Sequence, residues 1–161
     1  MTVDLNCDMG EGAGEDERIA PLVSSVNVAC GFHAGDPSTI RATVRLAARH
    51  RLAVGAHPSH PDRAGFGRAP MEREPALVRD DVLYQVAAVR AFCAAEGVPL
   101  VHVKPHGALY NAAAQDRTLA AAICEAGYCV SVTPEVCYHD RARDLVRAAP
   151  RDRLVIETDG P

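Results

Sequence analysis

What most limits the fold of this 161-residue chain is a repeated order of segments. A short apolar run is followed by a polar loop rich in Gly and Pro, and then by a stretch with helical period. The apolar runs are Val3–Cys7, Ser25–Cys30, Leu52–Ala56, the stretch from Val101 toward Lys104, Tyr128–Thr133 and Leu154–Glu157. Between them, Ser38–Arg51 places Ile40, Val44, Leu46 and Ala47 on one side. Glu74–Glu96 does the same with Leu77, Val78, Val82, Leu83, Val86 and Val89, and Gly97-Val98-Pro99 ends it. Asp16–Leu22 reads as a short helical link, and Asp116–Glu125 and Arg141–Ala148 as further helices. Strands alternating with helices call for a parallel sheet with right-handed crossovers. The expected fold class is α/β: an incomplete (β/α) barrel of about six parallel strands, in one domain.

In such a sheet, chemistry is done where strands end at their C-terminal side. Polar residues recur there: Asp8, His33, His57, Lys104 and His106. One polar strand end would mean little, but four in succession converge on one mouth if the sheet curls. Lys104 is the only lysine in the chain. It shares a strand face with His106, two residues on, so a desolvated amine stands beside an imidazole. Asp4, Asn6 and Asp8 also share a face, and Gly10-Glu11-Gly12 then lets backbone approach a ligand. A solvent-exposed strand edge is the competing explanation of that polar face. His33 is bracketed by Gly31 and Gly35, and Asp36 or Ser38 caps the next helix better, so His33 is assigned a ligand role. His60 lies in a shaped loop with two prolines and two glycines and is expected at the rim or in solvent.

The formal charge of −4 and the absence of basic runs argue against a nucleic-acid surface. The N-terminus shows no signal-peptide pattern, and no apolar run is long enough to cross a bilayer. A cytoplasmic location is expected, with Cys7, Cys30, Cys93, Cys124, Cys129 and Cys137 as free thiols, since none forms a Cys-x-x-Cys pair.

Five motifs occur in order: DLNCDMGEG at Asp4–Gly12, VNVACGFHAGDP at Val26–Pro37, VGAHPSHPD at Val54–Asp62, GFGR at Gly65–Arg68 and HVKPHGALYN at His102–Asn111. With these, residues 1–123 resemble the LamB/YcsF family, which supplies the first of the three components of prokaryotic-type 5-oxoprolinase. The resemblance implies an incomplete βα barrel of the glycoside hydrolase/deacetylase type. It also implies ATP-dependent opening of 5-oxo-L-proline to L-glutamate, with the B and C subunits of 5-oxoprolinase as partners. It points to Asp4, Asn6, Asp8, Glu11, His33, His57, Lys104 and His106 as the polar lining. Where the family usually shows Gly-Tyr, this chain has Ser59-His60. Residues 124–161 resemble instead the closing strands of TatD-type metal-dependent hydrolases, with Asp159 in the place of a metal-site aspartate.

The expected roles follow. Asp8, Lys104 and His106 are catalytic, with Lys104 holding carboxylate or phosphate charge and His106 or Asp8 moving protons. Asp4, Asn6, Glu11 and Asn27 bind substrate. ATP is the cofactor, and the spacing of Asp8, His33 and His57 admits a divalent metal (Mg, Mn or Zn). Two rival readings are a TatD-type metal-dependent hydrolase and a non-catalytic binding subunit. Open sheet edges would also favour self-association.

Overall fold

The structure is a computed structural model that describes residues 4–113, 115–116, 118–121, 130–132, 140, 143, 147 and 154–156. Its strands are β1 (Asn6–Met9), β2 (Ser25–Ala29), β3 (Ala53–His57), β4 (Leu100–Val103), β5 (Val130–Val132) and β6 (Leu154–Ile156). They form one sheet in sequence order, each strand parallel to the next. The main helices are α1 (Asp16–Ile19), α2 (Pro37–His50), α3 (Pro75–Ala95) and α4 (Gly107–Ala113). This is the expected α/β architecture, an open βα barrel.

The sheet is strongly curved. On a flat sheet, β1 and β4 would stand roughly 14 Å apart, three strand spacings. Yet Lys104 Nζ, just past β4, lies 3.1 Å from both carboxylate oxygens of Asp8 on β1. His102 on β4 likewise reaches Asn27 on β2. Side chains from non-neighbouring strands meet only when the strands curl around a shared interior.

The period of two sorts each strand between that interior and the helices. On β2, Val26 and Val28 are fully buried in the apolar core, while Asn27 faces the polar interior. On β3, Val54 and Ala56 face the core; Gly55 and His57 face inward. The core is completed by Ile40, Val44, Leu46 and Ala47 from α2 and by Val78, Val82, Val86 and Val89 from α3. Each fully buried valine contributes roughly 1.5–3 kcal/mol. The barrel is therefore held from outside by aliphatic packing, and its interior is left to polar groups.

Local signals fix the helix ends. Asp36 caps α2 by accepting from the Thr39 amide at 2.8 Å, with Pro37 in the first turn. Arg51, with φ of 58°, ends it in the left-handed region. β1 begins at Asn6, later than the sequence pattern suggests. Its pairing with β2 runs from Asn6↔Ser25 to Met9↔Val28, which turns Asn6 and Asp8 inward. No helix among the described residues is long and apolar enough to cross a membrane. Cys7, Cys30 and Cys93 are free. Cys124, Cys129, Cys137 and Asp159 lie outside the described residues, as does most of the helix expected over Arg141–Ala148.

Candidate functional site

At the C-terminal ends of β1 to β4, three imidazoles and two carboxylates meet. His57 closes β3 and is 1% exposed. Its Nδ1 donates to the Lys104 carbonyl at 2.7 Å. His106 follows β4; its Nε2 donates to the Phe66 carbonyl at 2.8 Å, and its Nδ1 faces His57 Nε2 at 3.0 Å. His33, 1% exposed, stacks on His106 with ring centroids 4.0 Å apart. Its Nε2 lies 2.9 Å from Glu11 Oε1, and its buried Nδ1 has no hydrogen-bond partner.

The loops are built to hold these rings. Arg63 donates to the carbonyls of Gly31 and Gly35, which fixes the turn carrying His33. Asp62 Oδ1 accepts from Gly65 N and shapes the loop that brings Phe66 edge-on against His33 and His106. Gly67, with φ of 66°, packs where a Cβ would stand 2.9 Å from His106 and 3.0 Å from His33. Both its backbone conformation and the space require glycine. Gly10 N donates to Asp16 Oδ2, which sets the turn that presents Glu11.

Asp8 is the second centre. Besides Lys104, it accepts from Asn27 Nδ2 at 2.7 Å and lies 3.3 Å from His57 Nε2. Burial pushes its carboxyl up, but the His57 contact and the charges of His57 and Lys104 outweigh it and hold the group well below the usual carboxylate range. Burial also raises Glu11, and the hydrogen bond with His33 reverses this to a net lowering. Burial lowers His33, and burial with the neighbouring charges of His57 and His33 brings His106 down to about 4. The carboxylates of Asp8 and Glu11 are thus favoured as anions, and His33 and His106 are held toward their neutral form.

A cavity of about 360 Å³ opens onto this array, lined among others by Asn6, Asp8, Glu11, Arg68 and Lys104. Asn6, Asp8, Glu11, His33, His57, Lys104 and His106 are therefore gathered in one region. Asn27 is fully buried beneath it and acts on Asp8 rather than on the cavity; its Oδ1 accepts from His102 Nε2 at 2.6 Å. Asp4 does not join them. It is exposed before β1 and accepts from the hydroxyls of Ser24 and Ser25. One polar face runs the whole length of a strand, so sharing a face with Asp8 does not bring Asp4 to the same end.

The expectation for the metal trio also changes. The four donor atoms that lie within 4.8 Å of one another belong to Glu11, His33, His57 and His106, and Asp8 stands beside them, held by Lys104. His60 is not at the rim: it is 2% exposed, its Nε2 lacks a partner, and it borders a separate cavity of about 650 Å³. The prolines on either side tuck its loop against α3, where Gln85 accepts from Ser59 N and donates to Ser59 O. Two residues outside the expected set also carry weight. His102 has a signal in its two-residue spacing to Lys104. Arg68, whose guanidinium lies 5.4 Å from the Phe66 ring centroid, has none beyond its motif.

The sequence pattern of the LamB/YcsF family matches residues 3–156, so the likeness runs on past residue 123. A protein from Symbiobacterium thermophilum named as the A subunit of 5-oxoprolinase is 57% identical over 129 residues, 77% of this chain and 49% of that protein. One of the same name from Geobacillus thermodenitrificans is 51% identical over 157 residues, 95% of this chain and 61% of that protein. The crystal structure of a lactam utilization protein from Thermus thermophilus superposes with a TM-score of 0.84 at 49% identity, covering 97% of this chain and 66% of the other. The chain spans about half to three fifths of the length of the first two relatives. With this match across nearly its whole length, the chain belongs to the LamB/YcsF family.

Proposed function

We propose that this chain contributes the first-component site of an ATP-dependent 5-oxoprolinase, which opens 5-oxo-L-proline to L-glutamate together with the B and C subunits. The observation that carries the reading is the Asp8–Lys104 pair, flanked by His57 and His106, at the wall of a cavity sized for a small ring. Relatives named for 5-oxoprolinase, and one named for lactam utilization, support it.

Opening a lactam needs an electrophilic carbonyl carbon, a water made nucleophilic and a proton for the leaving nitrogen. ATP supplies the first when its terminal phosphoryl group is transferred to the lactam oxygen. Asp8, ionised at neutral pH, takes the proton from the attacking water as the new C–O bond forms. The Lys104 ammonium offsets negative charge on the oxygen of the tetrahedral carbon. As the C–N bond breaks, the ring nitrogen takes the proton that Asp8 received from the water, with Asp8 steadied by His57 and His106 behind it. The opened ring is left as an acyl phosphate that a second water cleaves to L-glutamate and inorganic phosphate. Lys104 is already committed to Asp8, so the substrate carboxylate falls to Arg68. Arg68 lines the cavity, carries no ion pair among the described residues and is steadied over Phe66.

The test is 5-oxoproline-dependent ATP hydrolysis with the B and C partners present. Lys104→Ala and His106→Ala are each expected to lower turnover by at least about a hundredfold. Retained turnover in both removes the assignment. Arg68→Met is expected to raise the KM for 5-oxoproline by roughly ten- to a hundredfold, the worth of a charged hydrogen bond. Binding of 2-pyrrolidinone, the same ring without a carboxylate, should not change.

A further inference from the structure

We infer that Glu11, His33, His57 and His106 form a binding site for a single divalent transition-metal ion of the zinc type. Two main-chain carbonyls fix which ring nitrogens carry protons. A carbonyl oxygen only accepts, so His57 Nδ1 and His106 Nε2, each bonded to one, must both be N–H. In the neutral rings this leaves lone pairs on His57 Nε2 and His106 Nδ1. These two atoms face one another at 3.0 Å. Two bare lone pairs at that distance repel, so something positive belongs between them.

A shared proton would join those two atoms but would not account for the others. His33 Nε2 and Glu11 Oε1 converge on the same point, and all four atoms lie within 4.8 Å of one another. Glu11 Oε1 is 2.9 Å from His33 Nε2, 3.7 Å from His57 Nε2 and 3.9 Å from His106 Nδ1. Ligands about 2.0–2.1 Å from a tetrahedral ion stand about 3.3 Å apart, within that spread. A water at their centre would be about 2–2.5 Å from each atom, shorter than a hydrogen bond allows. A cation fits, and a water does not.

The donor set selects the ion. Three imidazole nitrogens and one carboxylate suit zinc, cobalt or nickel and are poor partners for magnesium or calcium, which prefer oxygen. Two of the rings are oriented by N–H bonds to backbone carbonyls, the usual outer support of a metal-binding histidine. Asp8 Oδ2 stands 3.3 Å from His57 Nε2 but outside the group of four mutually close donor atoms, and both its oxygens are held by Lys104.

The site can be tested with metal alone, so the outcome is independent of the lactam reading. The chelator-treated full chain is titrated with Zn(II) by calorimetry and with Co(II) by visible absorption. One equivalent per chain is expected, with the intense visible bands of a four-coordinate Co(II) site. His33→Ala and His106→Ala are each expected to weaken binding at least a hundredfold, while Asp8→Asn keeps the stoichiometry. Circular dichroism checks that each variant folds, and the Co(II) spectrum of the unaltered chain stands on its own if one does not. Wild-type chain that takes up no metal, or binding abolished by Asp8→Asn and untouched by His106→Ala, would overturn the assignment.

Discussion

The Lys104–Asp8 pair offers the sharpest test of how the interior is balanced. Lys104→Met keeps most of the aliphatic stem, so the packing change is small and the lost group is the ammonium. Lys104 is 7% exposed, and the Asp8 side chain retains 30%. Removing one partner of a buried pair costs about 3–5 kcal/mol because the other charge is stranded. Asp8 keeps some water and its bond from Asn27, which places the expected loss near the lower end, about 3 kcal/mol. That is on the order of a hundredfold in the folding equilibrium. Urea unfolding at pH 7 measures it.

The pH dependence supplies a second readout. The Asp8 carboxyl lies below its ordinary range in the folded chain, so its stabilising contribution is complete above the unfolded value of about 3.9 and is lost as pH falls toward the folded value. Without Lys104 the folded value rises and that contribution shrinks. The gap between wild type and Lys104→Met should therefore narrow progressively as pH falls below about 5, through the unfolded value and on toward the folded one. The double variant Asp8→Asn/Lys104→Met should lose less than the sum of the two single losses. A Lys104→Met chain within about 1 kcal/mol of wild type, on the scale of an exposed pair, with an unchanged acid profile, would refute the reasoning.

Gln85→Leu should cost about 2–4 kcal/mol in urea unfolding, because the loss of the buried amide leaves both Ser59 N and Ser59 O without a partner. Gly55→Ala should be destabilising by about 1–3 kcal/mol, since a Cβ there collides with the His102 ring. Its effect is readable in the His102 imidazole NMR signal, which should shift as the bond to Asn27 breaks. A shift confined to Gly55's immediate neighbours would count against that packing.

Much of the fold was legible because the barrel's outside is written in ordinary patterns. The helical period of residues 37–50 and 75–95, and the proline and aspartate at the start of the first, match the observed helices closely. The inside was harder. β1 carries Asn and Asp where most buried strands carry aliphatic residues, so the apolar pattern points to Val3–Cys7, whereas pairing with β2 places the strand at Asn6–Met9. The strand-end residues Asp8, His33, His57, Lys104 and His106 do meet, as topology demands of a curled parallel sheet. Which of them share a point was not legible. Asp8 is drawn away by Lys104, and Glu11 comes in on a glycine turn whose path no periodicity describes. The polarity of the His60 loop suggests solvent, but a buried glutamine pins that loop to α3 and His60 is buried with it.

His57 and His106 are anchored to main-chain oxygens of residues 104 and 66, not to their side chains. Whatever side chain stands at 66 or 104, the carbonyl remains. A substitution at position 104 therefore removes the ammonium while leaving in place the main-chain bond that aims His57.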